Sequence, residues 1–121
     1  MAAARFGALV SAFVAMACAK PAGAVEHGIA ARGQADYAIY CAPCHGSRGA
    51  GDGPLAHMLV PPPARHNDAA LMNSRSDEYL LRLLRDGGPA LGRSPLMGTW
   101  GRILTEQQIR DLVAYLRSLS K

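Results

Sequence analysis

The sequence predicts a small all-α domain, and three observations lead to that prediction. Apolar residues recur at intervals of three and four in three separate segments, which is the spacing of one face of a helix. The segments between them are rich in glycine and proline, which are typical of turns and loops. No stretch of the sequence alternates apolar and polar residues as a half-buried strand does. With 121 residues, the chain is long enough for one domain.

Each of the three helical segments has its own local signals. The first covers residues 29–44 and carries Gly33 and Tyr37 on one face. Because glycine destabilises a helix interior, Gly33 is expected to face a closely packed neighbour. The second helix covers 77–86, where a serine precedes two acidic residues and two glycines follow. The third begins at a capping box over 105–108 and continues with an apolar stripe.

Residues 1–24 have the composition of a secretory signal peptide. They begin with a positive charge, continue with an apolar run too short to span a bilayer comfortably, and end on a small-x-small site. We therefore expect cleavage after Ala24, which leaves residues 25–121 as the mature domain in the periplasm. The alternatives are a retained signal that acts as a membrane anchor and a lipid attached to Cys18.

The charge of the chain argues against a nucleic-acid partner. The whole chain has 13 basic and 9 acidic side chains, a formal charge of +4. Removal of residues 1–24 takes away two basic residues and no acid, which leaves a mature charge of +2. Binding of nucleic acid requires a concentrated basic patch, and so balanced a composition does not indicate one.

The most informative motif is C-x-x-C-H, from Cys41 through Cys44 to His45. This is the attachment sequence of c-type haem. Two thiols at this spacing can add to the two vinyl groups of one porphyrin, and the neutral imidazole that follows can bind its iron. A bare C-x-x-C is also found in redox pairs, zinc sites and disulfide loops. A zinc site needs a second pair of ligands, whereas Cys18 is the only other cysteine, and no strand-like run flanks the motif as in a redox pair.

With this motif in place, residues 28–121 resemble the class I cytochromes c. The resemblance is carried by Gly33 and Tyr37, the haem motif, Gly51-Asp52-Gly53-Pro54, the prolines at 61–63, a methionine-bearing loop and the ending 112–119. It implies a small helical bundle around one haem c, bound covalently through Cys41 and Cys44. It also implies that the first and last helices cross at a glycine–aromatic contact, which Gly33 and Tyr115 match.

The resemblance implies His45 as the proximal ligand of the haem iron and a methionine as the distal ligand. Met97 lies between the second and third predicted helices, where the family has its ligand, and it is the expected residue. Met58 and Met72 are the other methionines of the mature chain. These assignments predict His45 and Met97 as the two axial iron ligands.

The residue after the loop methionine departs from the family pattern. Many relatives have proline there, whereas Gly98 follows Met97 in this chain. Glycine predicts a softer loop and a weaker iron–sulfur bond. The alternative assignment is a Met97 that only packs on the ring, with His57, His66 or water at the iron.

The resemblance implies a one-electron carrier rather than an enzyme, and no hydrolytic constellation of residues is visible. The expected partners are redox proteins, namely a dehydrogenase, an oxidase or a reductase. A second interpretation is a dedicated haem subunit of an exported dehydrogenase or terminal oxidase complex. A third is a gas-binding or peroxidatic haem protein with an open distal site. Four arginines in neighbouring loops are expected to surround the exposed haem edge: Arg48, Arg65, Arg93 and Arg102.

Overall fold

The computed structural model describes residues 27–121, and every regular element within them is helical. The five α-helices are α1 (Ala30–Tyr40), α2 (Ala42–His45), α3 (Ala69–Asn73), α4 (Asp77–Asp86) and α5 (Glu106–Leu119). Three short 3-10 turns occupy Ala56–Met58, Pro89–Leu91 and Trp100–Arg102. The prediction of an all-α fold is confirmed. The signal peptide and its cleavage after Ala24 lie outside the described residues.

The first predicted helix is divided in two at Cys41, so the expectation of one continuous helix over 29–44 is wrong. The Cys41 amide donates to the Tyr37 carbonyl over 2.9 Å and ends α1. The helix α2 begins at the next residue, with Pro43 in its first turn. Proline has no amide hydrogen and clashes with the carbonyl four residues earlier, so it starts a helix more readily than it continues one.

The helices α4 and α5 begin where the sequence predicts them. The Ser76 hydroxyl accepts a hydrogen bond from the Tyr79 amide at the start of α4. At the start of α5, the side chains of Thr105 and Gln108 cap each other's backbone amides. These contacts satisfy amides that have no partner within the helix. Within residues 27–121, no helix is long and apolar enough to cross a membrane.

The core is built on the contact between α1 and α5, the most extensive contact between two helices in the described part. Gly33 faces the backbone of Asp111 and Leu112, and a Cβ at this position would overlap the Asp111 carbonyl. The Tyr115 ring, expected at this crossing, packs edge-on against Tyr37 with centroids 5.1 Å apart. The glycine thus allows the two backbones to approach, and the two tyrosines fill the space beside them.

Candidate haem site

A cavity of about 390 Å³ opens between α2, the proline segment 61–63, α4 and the loop that follows α4. Its walls are mostly apolar side chains from α3, α4 and α5. The four residues that the sequence predicts as the site all line it: Cys41, Cys44, His45 and Met97. The fold therefore brings together groups that are more than fifty positions apart in the chain.

The two cysteines lie three residues apart in the turn that connects α1 to α2, where the Cys44 amide donates to the Cys41 carbonyl over 3.2 Å. Neither cysteine forms a disulfide, and Cys41 is buried whereas Cys44 is partly exposed. Burial raises the pKa of the Cys41 thiol to about 12, and nearby Asp36 adds to the shift. Within residues 27–121, no three side chains of His, Cys, Asp or Glu form a cluster that could hold a metal ion.

A backbone carbonyl decides which nitrogen of the His45 imidazole carries the proton. Its Nδ1 lies 2.9 Å from the oxygen of Ala64, which can only accept a hydrogen bond. The proton must therefore be on Nδ1, and Nε2 keeps the lone pair with which an imidazole binds a metal. Burial also lowers the pKa of His45, which favours the neutral form needed for ligation.

Neither alternative histidine suits the distal position. The ring of His66 stacks on that of His45, with centroids 4.1 Å apart and planes inclined by 22°. A ring packed against the imidazole of His45 cannot reach the face of a porphyrin that lies opposite His45. His57 is exposed and does not line the cavity.

The three methionines of the mature chain differ in their surroundings. Met58 is 62% exposed and lies outside the cavity. Met72 borders the cavity from within the hydrophobic core. Met97 borders it from the loop after α4, and the Gly88 amide donates to the Met97 carbonyl over 2.9 Å. This hydrogen bond holds the loop next to Gly98, where the sequence predicts a flexible backbone.

A polar group at the cavity wall was missed by the sequence reasoning. Arg75 and Arg93 both donate hydrogen bonds to the hydroxyl of Tyr79, over 2.5 and 3.0 Å. Arg93, which the sequence predicts near the exposed haem edge, is exposed and also lines the cavity with the other two. Arg75 and Tyr79 are four positions apart, and this spacing was the only signal in the sequence for their contact.

The indole of Trp100 provides a further test of what the cavity can hold. Its Nε1 is buried without a hydrogen-bond partner, and Trp100 lines the cavity. A buried donor without an acceptor costs free energy, so an acceptor is expected at this point in the complete protein. A haem fits these residues, because its ring would contact the apolar walls and its two carboxylates would accept from Trp100 and the arginines.

Comparison with known proteins agrees with this geometry. The family model for Cytochrome c matches residues 30–120. Among solved structures, the chain is similar to a chain of the reducing HAO-like protein complex of Kuenenia stuttgartiensis, with a TM-score of 0.60 and 26% sequence identity. The similarity covers 78% of this chain and 44% of that chain, so this protein spans less than half the length of its structural relative. A search of curated proteins gives no match.

The family match extends over well more than half of the sequence and includes all four predicted site residues. Cytochromes c carry covalently bound haem, whose iron accepts and donates one electron. On these grounds the chain belongs to the cytochrome c family, and it is an all-α electron-transfer protein that carries haem c with its iron.

Proposed function

We propose that this protein carries single electrons in the periplasm through a haem iron held by His45 and Met97. The observation that supports this most directly is that both side chains line one cavity, with the lone pair of His45 Nε2 left for the metal. A thioether sulfur is a soft, neutral ligand, and a His/Met pair raises the reduction potential by favouring ferrous iron.

The residues of the chain would each have a defined part in this function. Cys41 and Cys44 attach the haem, and the haem supplies the one-electron couple of its iron. The Ala64 carbonyl accepts a hydrogen bond from Nδ1 of His45 and so helps to orient the ring. The apolar walls keep water away, which penalises the additional positive charge of the ferric state. The guanidinium groups of Arg75 and Arg93 offset the charge of the haem carboxylates.

The surface beside the cavity supports brief contact with redox partners. The side chains of Met58, Val60 and Leu96 are 62%, 88% and 67% exposed, and Leu96 also lines the cavity. An uncharged rim of this kind can dock a partner, while the exposed side chains of Arg48 and Arg65 steer an acidic partner towards it.

Arg48→Glu tests this steering. Arg48 is a better choice than Arg93, because Arg93 also donates a hydrogen bond to Tyr79. The substitution should slow electron exchange at low salt and leave the haem spectrum unchanged.

Two measurements on the exported protein test the proposal. After extraction with acidic acetone, the colour should remain with the protein, and Cys41→Ser or Cys44→Ser should lower the amount of covalent haem. Release of free haem from the wild type would contradict attachment through both cysteines. Binding of carbon monoxide to the reduced protein at neutral pH would instead favour the gas-binding interpretation, because it requires an open distal site.

A dedicated subunit of a larger redox complex is the second candidate. It is favoured by the structural relative, which belongs to a protein complex and extends well beyond the matched region. A free carrier should purify alone and exchange electrons more slowly as salt increases, since screening shortens the range of its charge. Stable co-purification with a large enzyme and a rate independent of salt would favour the subunit. Mass spectrometry of the exported chain separately shows whether it has been cleaved after Ala24 and whether Cys18 carries a lipid.

A further inference from the structure

A second imidazole lies against the proposed axial ligand, and its own orientation is defined by hydrogen bonds. The Tyr37 hydroxyl lies 3.1 Å from the Gly46 carbonyl and 3.0 Å from Nδ1 of His66. The carbonyl can only accept, so the single hydroxyl proton of Tyr37 is directed to Gly46. His66 must then donate from Nδ1 to the Tyr37 oxygen.

The acceptor that holds His66, the Tyr37 hydroxyl, belongs to a buried side chain. Tyr37 is 1% exposed and packs edge-on against Tyr115 at the contact between α1 and α5. The segment that carries His66 is also tied down, because the Asn67 amide donates to the Gly49 carbonyl over 3.1 Å. His66 is thus attached to the core of the protein on two sides, through its side chain and through its backbone.

The His45 ring is constrained from two directions by residues only two positions apart. The Ala64 carbonyl engages its Nδ1 edge, and the His66 ring covers one of its faces at a centroid distance of 4.1 Å. A single hydrogen bond at Nδ1 still allows the imidazole to rock about its Cβ–Cγ bond. A flat ring packed against its face blocks that motion in one direction, because the two rings would collide.

We propose that His66 is a positioning residue for the axial ligand: held by Tyr37, its ring defines the plane in which the His45 imidazole meets the haem. This inference rests on the proposed ligation by His45. The plane of an axial imidazole decides which iron d orbital it overlaps, and so it decides how the unpaired electron of ferric iron is distributed over the porphyrin. His66 influences that distribution without touching the iron.

Proton NMR of the ferric protein with its haem attached tests this proposal. The four haem methyl resonances are displaced by the unpaired electron, and their spread depends on the plane of the axial imidazole. His66→Leu removes the stacked ring and should change the spread. His66→Phe keeps a flat ring and should remain closer to the wild-type pattern. Tyr37→Phe removes one hydroxyl oxygen and should shift the pattern in the same direction as His66→Leu, by a smaller amount.

His57→Leu is the matched control, because His57 is exposed and does not border the cavity. It should leave all four methyl resonances in place. If His66→Leu and Tyr37→Phe both give the wild-type methyl pattern while the resonances of a ligated histidine persist, the positioning role is wrong. If the wild type itself lacks the resonances of a ligated histidine, ligation by His45 fails and the inference fails with it. Should His66→Leu not fold, Tyr37→Phe alone decides.

Discussion

Arg32 in α1 donates from Nε to Oδ2 of Asp111 in α5 across 2.9 Å. Asp111 is 3% exposed, and it is the one buried acidic residue in the described part of the chain. Its Oδ1 accepts from the Ile29 amide over 2.7 Å and from Gln107 over 3.0 Å. Burial alone would raise the pKa of this carboxyl, but the three donors outweigh it and hold the pKa below its usual value.

Asp111→Asn should therefore destabilise the protein at neutral pH, by about 1–3 kcal/mol for the loss of charged hydrogen bonds. The carboxylate stabilises the fold fully above its unfolded-state pKa, and this contribution is lost as the pH falls through the lowered folded-state pKa. Denaturant unfolding as a function of pH checks this. The difference between wild type and variant should shrink under acidic conditions, and a difference independent of pH would contradict it.

Gly33→Ala should lower the melting temperature, although alanine is the better helix former by about 1 kcal/mol. The added Cβ would overlap the Asp111 carbonyl, which is backbone and cannot rotate away. Separating the two helices costs about 1–3 kcal/mol, and each net kcal/mol corresponds to roughly 4–8 °C in a domain of this size. Gln34→Ala, at an exposed position of the same helix, is the control and should not lower the melting temperature. An unchanged or higher melting temperature for Gly33→Ala would mean that the contact between α1 and α5 can adjust to the added methyl group.

Met97→Ala should abolish the weak red absorption band that arises from sulfur bound to ferric iron. The reduction potential should fall and exogenous ligands should bind, because the distal position becomes open. Met72→Ala should keep the band while it destabilises the core by about 2–5 kcal/mol, the usual cost of truncating a buried methionine. Exposed Met58 is the control, and Met58→Ala should change neither property. Loss of the band in Met72→Ala or Met58→Ala alone would assign the ligand to that residue.

Arg75→Gln should lower the reduction potential, because a cation beside the haem disfavours the additional positive charge of ferric iron. Spectroelectrochemical titration measures this effect. Arg82→Gln is the matched control, because Arg82 is an exposed arginine of α4 that does not border the cavity. Among the ion pairs of residues 27–121, Arg82 takes part in one, with Asp86 at 3.9 Å. Equal potentials for the two variants would mean that Arg75 does not act on the haem.

Local signals in the sequence were sufficient for several elements. The capping residues Ser76 and Thr105 act within four positions of the helices they start, so the beginnings of α4 and α5 could be predicted. The motif from Cys41 to His45 has its own chemistry and needs no distant partner to be recognised. The break at Cys41 could also have been found, because Pro43 is a local signal against a continuous helix.

Other parts of the site could not be predicted, because they depend on contacts between segments that are distant in the sequence. The stacking of His66 on His45 joins residues 21 positions apart, and no periodicity indicates it. The Arg93 hydrogen bond to Tyr79 spans 14 positions through an irregular loop. Gly33 could be predicted to face a neighbour, whereas the identity of that neighbour, the Asp111 backbone, depends on how the helices cross.

The dependence of α1 on α5 has a consequence for the order of events during biosynthesis. An isolated helix of 11 residues is only marginally stable in water, and the buried face of α1 is covered by the last helix of the chain. The thiols of Cys41 and Cys44 are therefore expected to lie in an open chain until α5 is present to pack on α1. We expect a chain truncated before Glu106 to acquire covalent haem and yet to melt without a cooperative transition. That result would mean that attachment does not require the folded domain and can precede the closing of α5 over α1.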